Sequence, residues 1–209
     1  MKKFELTTDT KMFLGKKLFR IKALISFGNV RAGDMGGYVE KEENLSHLNE
    51  AWVYGDAWVY GDAWVSGNAK VSGNAKVYGD AWVYGDAWVS GNAEVSCNAK
   101  VYGDAKVSGN AKVYGNAKVY GDAKVSGNAK VSGDADYATA SGFGSEYRTT
   151  TFFKLKNSDE IGVRCGCFYG TLKEFKEKVK ETHGETKKAK EYLMLADLME
   201  YRFSEEKKA

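Results

Sequence analysis

The chain has 209 residues, a formal net charge of +3, 24 glycines and no proline. A net charge this small predicts no partner by itself, and the absence of a run of about 18 apolar residues argues against a membrane-spanning helix. Without proline, the turns must be formed by glycine together with Asn or Asp, because these residues tolerate positive φ.

Residues 1–44 alternate short strand-like runs, such as KLFRIKALISF, with the glycine-rich turn AGDMGGYVE. This pattern predicts a strand-rich N-terminal cap that leads into the next region. The first residues, MKKFELTTDTKMF, lack an apolar core and a small-residue cleavage site, so we expect no signal peptide. An odd number of cysteines also argues against a disulfide framework, and we expect a cytoplasmic protein.

Residues 45–140 are dominated by a six-residue repeat. Valine occupies every sixth position from 53 to 131, with alanine two residues before it and glycine two residues after it, except at Cys97. In an extended chain this spacing sends Ala and Val to one side and the residues between and after them to the other. Such short strands bury little alone, so we expect them to stack about 4.8 Å apart, with Gly-Asp or Gly-Asn forming each corner.

The unit Val-Ser-Gly-Asn-Ala-Lys resembles the hexapeptide of the left-handed parallel β-helix superfamily, and the resemblance covers roughly residues 45–140. It implies triangular coils of three hexapeptides, about five coils in all, and the homotrimer typical of the superfamily. The flank AGDMGGYVEKEENLS looks more loosely like hexapeptide-repeat proteins of bacteria, phages and prophages. The left-handedness comes from the resemblance alone, because parallel strand connections are usually right-handed.

With 18 residues per coil, positions 18 apart stack on one of three outward faces. Face 1 carries Trp64, Trp82, Lys100 and Lys118, beside Ser66, Tyr84, Tyr102 and Tyr120. Face 2 carries Trp58, Lys76, Glu94, Lys112 and Lys130, beside Tyr60, Tyr78, Ser96 and Tyr114. Face 3 carries Trp52, Lys70, Trp88, Lys106 and Lys124, beside Tyr54, Ser72, Ser90, Ser108 and Ser126. The corner residues Asn74, Asn92, Asn110 and Asn128 are expected to form a structural amide ladder.

The outward positions are the candidate functional surface, because alanine and valine leave no room for a ligand inside the prism. Residues 99–131 carry six lysines against two acids, which suits either a solvated strand surface or an anionic, nucleotide-like ligand beside stacked tyrosines. The predicted ligand-binding residues are Tyr84, Tyr102, Tyr120, Lys100, Lys118, Lys112 and Lys130. Exposed indoles usually mark an interface, so the predicted subunit contacts are Trp52, Trp58, Trp64, Trp82 and Trp88.

Three functional hypotheses remain open. The first is a non-catalytic oligomeric binding or scaffold protein of phage or prophage type that captures a host ligand or blocks a host defence protein, without a cofactor and in the host cytoplasm. The second follows from the resemblance: an acyltransferase that uses acetyl-CoA, with His47 as the weak candidate for the general base. The third is a structural component of a virion or tail. We find no specific nucleic-acid motif and expect no membrane partner.

Residues 141–209 lose the repeat and predict a small α+β segment that caps the coils or mediates oligomerisation. The runs TTTFFKLK and IGVRCGCFYG are expected to form two strands of a hairpin around NSDE. Thr171 and Glu174 form a capping-box pattern that opens a helix to about residue 182, and a second helix is predicted over about 186–203. Cys165, Cys167 and His183 supply at most three zinc ligands, so we predict no metal site.

Overall fold

The computed structural model describes residues 1–144, 146–156 and 158–204. The chain begins with three strands, β1 (Phe4–Phe13), β2 (Lys16–Ala23) and β3 (Met35–Val39). Fourteen two-residue strands follow: β4 (Trp52–Val53), β5 (Trp58–Val59), β6 (Trp64–Val65), β7 (Lys70–Val71), β8 (Lys76–Val77), β9 (Trp82–Val83), β10 (Trp88–Val89), β11 (Glu94–Val95), β12 (Lys100–Val101), β13 (Lys106–Val107), β14 (Lys112–Val113), β15 (Lys118–Val119), β16 (Lys124–Val125) and β17 (Lys130–Val131). The last elements are β18 (Tyr137–Ala140), β19 (Thr150–Lys154), β20 (Ile161–Cys165), β21 (Phe168–Thr171), α1 (Leu172–His183) and α2 (Lys187–Phe203).

The fourteen short strands form a parallel coil with three faces. Each strand pairs in parallel with the strand three units later, so that Trp82 lies beside Lys100 and Lys100 beside Lys118. Face 1 is the sheet β6-β9-β12-β15, face 2 contains β5-β8-β11-β14-β17, and face 3 is β4-β7-β10-β13-β16. The predicted 18-residue period and the composition of all three faces are therefore confirmed. The left-handed winding stays a prediction of the resemblance.

Alanine and valine fill the interior of the prism. Every repeat valine is fully buried, and no repeat alanine exposes more than 1% of its surface. Backbone hydrogen bonds link each coil to the next along the axis, for example the bond of 2.9 Å from the Lys100 N–H to the Ala117 carbonyl. Because the interior is occupied by these buried side chains, recognition falls to the outward positions, as the repeat predicts.

The corners are closed by residues at positive φ and by side-chain ladders. Glycine occupies the corner of nearly every unit, and Cys97 takes the same conformation with φ 57°. The predicted amide ladder is present: Asn74 donates to Asn92, Asn92 to Asn110 and Asn110 to Asn128 at 3.1–3.2 Å. This ladder links successive coils along one edge and is a structural feature.

The N-terminal strands extend face 2 and cover the first coil. β1, β2 and β3 form an antiparallel sheet, and β3 then pairs in parallel with β5, so the cap and face 2 are one continuous sheet. The indole of Trp52 lies beneath this cap, with ring centroids 6.3 Å from Phe4 and 5.4 Å from Phe27. The cap thereby protects the first coil from pairing with another chain.

The C-terminal segment is a four-stranded antiparallel sheet with two helices packed on it. Its strand order is β18-β19-β20-β21, so the sheet has two strands more than the sequence predicts. The expectation of one strand over IGVRCGCFYG is wrong: Gly166, with φ 57°, and Cys167 form a two-residue turn between β20 and β21. The predicted capping box is confirmed, since Thr171 and Glu174 each accept the other's backbone N–H.

Strand β19 joins the C-terminal segment to the last coil. The side chains of Phe152 and Phe153 are both fully buried, but Phe153 belongs to the core of the coils and Phe152 to the core under the helices. Next to them, the Lys156 N–H donates to the Asn128 carbonyl at 2.9 Å. One strand therefore closes the open end of the prism with one side and supports the helices with the other.

Candidate functional site

Face 1 carries a stacked column of tyrosine rings. The ring centroids of Tyr84 and Tyr102 lie 4.9 Å apart with an interplanar angle of 3°, and those of Tyr102 and Tyr120 lie 5.4 Å apart at 15°. Burial, with a smaller effect of Tyr102, raises the pKa of Tyr84, so this phenol stays neutral at physiological pH. Because consecutive rings already stack on one another, a further planar ring has access only to the ends of the column.

Two tryptophans and two lysines run beside the tyrosine column. Trp64 and Trp82 meet edge to face with centroids 5.8 Å apart, and 39% and 40% of their surfaces are exposed. The Lys100 ammonium lies 4.5 Å from the centroid of Trp82, within the range of a cation–π interaction. Lys118, one coil further, is exposed. Beside the tyrosine column, the position between Ala and Val on face 1 thus holds indoles in the N-terminal half and ammonium groups in the C-terminal half.

The tyrosine column ends in a groove between the last coil and α2, which we name the end groove. It has a volume of about 330 Å³ and is lined by Tyr120, Asp134, Tyr137, Ala138, Thr139, Met199 and Arg202. Tyr120 is 52% exposed, and Tyr137 meets it edge-on at 6.4 Å. Asp134 accepts the Lys118 backbone N–H at 2.9 Å, and Arg202 is exposed on the last turn of α2. An aromatic ring, a guanidinium and a carboxylate therefore converge on one opening.

The structure separates the predicted ligand-binding residues into two groups. Tyr84, Tyr102, Tyr120, Lys100 and Lys118 all lie on face 1. Lys112 and Lys130 lie on face 2 instead, where Lys112 pairs with Glu94 at 3.0 Å and the Lys130 ammonium lies 5.8 Å from the ring centroid of Tyr114. The seven residues therefore do not form one site.

The five tryptophans also differ in exposure. Trp52 is only 1% exposed, so the chain's own cap covers it and it presents no surface to another subunit. Trp58 is half-buried against Phe13, with ring centroids 4.9 Å apart. Trp88 is 43% exposed on face 3 and donates its Nε1–H to the Ser72 hydroxyl at 2.9 Å. Of the predicted interface residues, the tryptophans of face 1 and Trp88 remain on the surface.

Comparison with known proteins agrees with the repeating coil. A family model described as the YdcK beta solenoid repeat matches residues 69–85, which run from the start of β7's unit into the corner after β9. The chain is a β-solenoid repeat protein. No curated protein matches the sequence. Among the described residues of the solenoid protein, no helix is long and apolar enough to cross a membrane.

His47 is held in a structural network at the start of the solenoid. Its Nδ1 accepts the Lys3 backbone N–H at 3.1 Å, and its Nε2 lies 2.6 Å from Glu42 Oε1. The ring also stacks on Phe4 with centroids 4.3 Å apart. Hydrogen bonds from Lys2 and His47 keep the pKa of Glu42 below its usual value despite some burial. Both nitrogens are engaged, so this geometry favours a structural role over a general base.

The burial of Lys3 predicts that the stability of the solenoid depends on pH. Its side chain is 1% exposed and donates to the Ala51 carbonyl at 2.8 Å, while burial lowers its pKa from 10.5 to about 8. Between pH 8 and pH 10.5, the Lys3 amine is protonated in the unfolded chain but largely neutral in the folded chain. The contribution of Lys3 to the free energy of unfolding therefore increases as the pH rises through this range.

We therefore expect the stability of the native chain, relative to Lys3→Met, to increase over this pH window and to be flat below it. Urea unfolding at a series of pH values measures the difference. Lys17→Met, which removes an exposed lysine from the same cap, is the control and should show no such slope. Parallel pH profiles for the native chain and Lys3→Met would contradict the prediction.

A second groove, in the C-terminal segment, is lined by the two neighbouring cysteines at the β20–β21 turn and by His183 at the end of α1. Cys165, Cys167 and His183 line an apolar opening of about 360 Å³ together with Phe168, Phe175, Lys178, Val179, Thr182 and Tyr192. The Thr150 hydroxyl donates to Cys165 Sγ at 3.1 Å. Burial, followed by the charge of Cys165, raises the pKa of Tyr192 to about 12. Within the described ranges, no three His, Cys, Asp or Glu side chains are close enough to hold a metal ion.

Sequence reasoning missed most of the end groove. Tyr120 was predicted as part of the column, but Tyr137, Met199 and Arg202 were not singled out. Tyr137 follows the last repeat unit, and its position near the 18-residue register is the one signal that points to it. Nothing in the sequence of α2 indicates that its last turn faces the end of face 1.

Proposed function

We propose that this solenoid is a non-catalytic binding protein that captures an anionic, nucleotide-like ligand in the end groove. The observation that carries the proposal is the exposed ring of Tyr120 at the end of a stacked column, next to Arg202 in the same groove. A planar base stacked on Tyr120 extends the column by one ring, and the guanidinium of Arg202 suits a phosphate. The carboxylate of Asp134 suits an N–H of the base.

The column makes Tyr120 a prepared stacking surface. Tyr102 and Tyr137 restrict its ring before a ligand arrives, so little conformational entropy is lost on binding. Lys118 adds a positive charge two residues before Tyr120 in the same unit, and the whole stretch 99–131 is rich in lysine. These features support a small anionic ligand and leave the long faces available for protein contacts.

The phage or prophage setting is part of the same proposal and rests on the looser resemblance of the flanking segments. In that setting, capture of a host nucleotide would withhold it from a host defence protein. The acyltransferase alternative depends on His47, and the hydrogen bonds to both of its ring nitrogens do not favour it. No feature of the described residues favours the virion or tail component.

We expect adenosine monophosphate to bind at least tenfold more tightly than adenosine or ribose 5-phosphate, because only the nucleotide offers both a ring and a charge. Isothermal titration calorimetry measures this. Tyr120→Ser should weaken binding about 5- to 150-fold, since stacking on one aromatic ring contributes about 1–3 kcal/mol. Arg202→Gln should weaken binding by a similar factor, because a hydrogen bond to a charged group contributes about 1.5–3 kcal/mol. Serine occupies the same slot in Ser66, so the fold tolerates it.

Tyr114→Ser is the matched control, because Tyr114 occupies the same slot on face 2. It should leave the affinity unchanged. An equal loss in Tyr114→Ser and Tyr120→Ser would contradict the end groove as the site, and the absence of binding for a panel of linear and cyclic nucleotides at millimolar concentration would contradict the function.

A further inference from the structure

Face 1 has a feature that none of the other faces shares: its four levels read Trp64, Trp82, Lys100 and Lys118 in order along the axis. The aromatic half and the cationic half are equal in length. A two-fold axis that runs along the strand direction between the levels of Trp82 and Lys100 therefore exchanges one half for the other.

We infer that face 1 is the contact surface of an antiparallel homodimer in which two solenoids pack face 1 against face 1. The two-fold axis sets Trp64 of one copy opposite Lys118 of the other, and Trp82 opposite Lys100. Each contact occurs twice, as in every isologous interface. The inference does not depend on the ligand proposed for the end groove.

The chemistry of this pairing already exists within one chain. Lys100 lies 4.5 Å from the ring centroid of Trp82, and each of the two tryptophans is about 40% exposed, so an indole still presents apolar surface to a second copy. At the centre of the face the axis brings Tyr84 opposite Tyr102. The corner carboxylates Asp86 and Asp104 come opposite each other only at the rim, where both are exposed and solvent screens their repulsion.

The other two faces are not self-complementary in this way. The same operation on face 2 sets Glu94 against Glu94, and the N-terminal strands cover the start of that face. On face 3 it sets Lys70 against Lys106. Face 1 is thus the face that pairs an indole with an ammonium at every level when the two-fold axis passes through its centre.

A parallel arrangement brings like charges together whichever faces meet. In parallel copies, residues at the same level of the two solenoids lie side by side. In the units from 99 to 131, the outward position between Ala and Val is always lysine: Lys100, Lys106, Lys112, Lys118, Lys124 and Lys130. The homotrimer expected from the resemblance has parallel prisms, so the two assemblies differ in orientation as well as in number. The four levels of face 1 are separated by three strand spacings, about 14 Å in all, so the dimer is expected to be weak, in the micromolar range.

Sedimentation velocity from 1 to about 200 μM tests the surface, with the native chain expected to pass from monomer to dimer. The double variant Lys100→Glu with Lys118→Glu should weaken dimerisation at least tenfold. Lys106→Glu with Lys124→Glu makes the same change of charge in the same slot of face 3 and should leave dimerisation unchanged. Equal effects of the two variants, a trimer mass, or a monomer throughout this range would overturn the inference.

Disulfide trapping tests the orientation. A chain with Trp64→Cys is mixed with a chain with Lys118→Cys, both in a background of Cys97→Gly and Cys167→Ser that removes the exposed thiols. The antiparallel dimer predicts a cross-link between position 64 of one copy and position 118 of the other. A product dominated by 64-to-64 and 118-to-118 cross-links would show parallel packing and overturn the inference.

Discussion

Phe153→Ala is expected to lower the free energy of unfolding by about 3–5 kcal/mol and to open the C-terminal end of the prism. The Phe153 side chain is fully buried in the same core as the repeat valines, together with the partly buried Leu155. Its loss leaves a cavity beside the last coil. It also weakens the attachment of β19, which covers the edge that β16 and β17 would otherwise expose.

The neighbouring residue supplies the control for this prediction. Phe152→Ala removes an equally buried ring of the same size, but from the core under α1 and α2. We expect a similar loss of stability by urea unfolding. Hydrogen exchange separates the two, because the amides of Lys112 and Tyr114, bonded to the Ala129 and Val131 carbonyls, should exchange faster only in Phe153→Ala. Equal exchange in the two variants would contradict the role of Phe153 as the cap.

Gly109→Ala is expected to destabilise the solenoid by about 2–5 kcal/mol. Gly109 has φ +68°, which costs an alanine roughly 1–2 kcal/mol. A Cβ at this position would also lie 2.8 Å from the backbone nitrogen of Gly127 in the next coil, so two coils must separate to admit it. Overpacking of this kind typically costs about 1–3 kcal/mol, and here it presses on backbone that cannot rotate away.

Gly121→Ala isolates the contribution of stacking. Gly121 has a similar φ of +61°, but its Cβ would have no neighbour within 4 Å. Gly121→Ala should therefore lower the free energy of unfolding only by the cost of a positive φ at alanine, about 1–2 kcal/mol. Thermal and urea unfolding of the two variants measure the difference. If both substitutions cost the same, the close approach of successive corners does not limit the choice of residue there.

The sequence predicts most of the solenoid because each unit repeats the same local constraints. Ala and Val at a spacing of two must share a side, and a corner such as Gly109 must tolerate positive φ, so one unit already specifies a short strand and a turn. The resemblance then implied that residues 18 positions apart stack on one another. This period places Tyr84, Tyr102 and Tyr120 in one column. The capping box at Thr171 was equally visible, because its two hydrogen bonds link residues three apart.

Features that depend on contacts between segments distant in sequence could not be predicted from the repeat. The exposure of Trp52 was overestimated because the cap that covers it is made by Phe4 and Phe27, which precede the repeat. The turn at Gly166 was missed because a Gly between two cysteines is compatible with either a strand or a hairpin until its partner strand is known. The same limit applies to His47, whose partners include the backbone of Lys3.

By itself, the amino-acid sequence determined the strand-and-corner unit, the filled interior and the order of aromatic and cationic residues along each face. These properties depend on neighbours within one unit and on a strict period. Only the tertiary structure decided which outward residues stay exposed, how β19 closes the prism, and that Arg202 of α2 lines the same groove as Tyr120 at the end of the column. The physical reason is that these contacts join segments with no common period, so their positions depend on the packing of the whole chain.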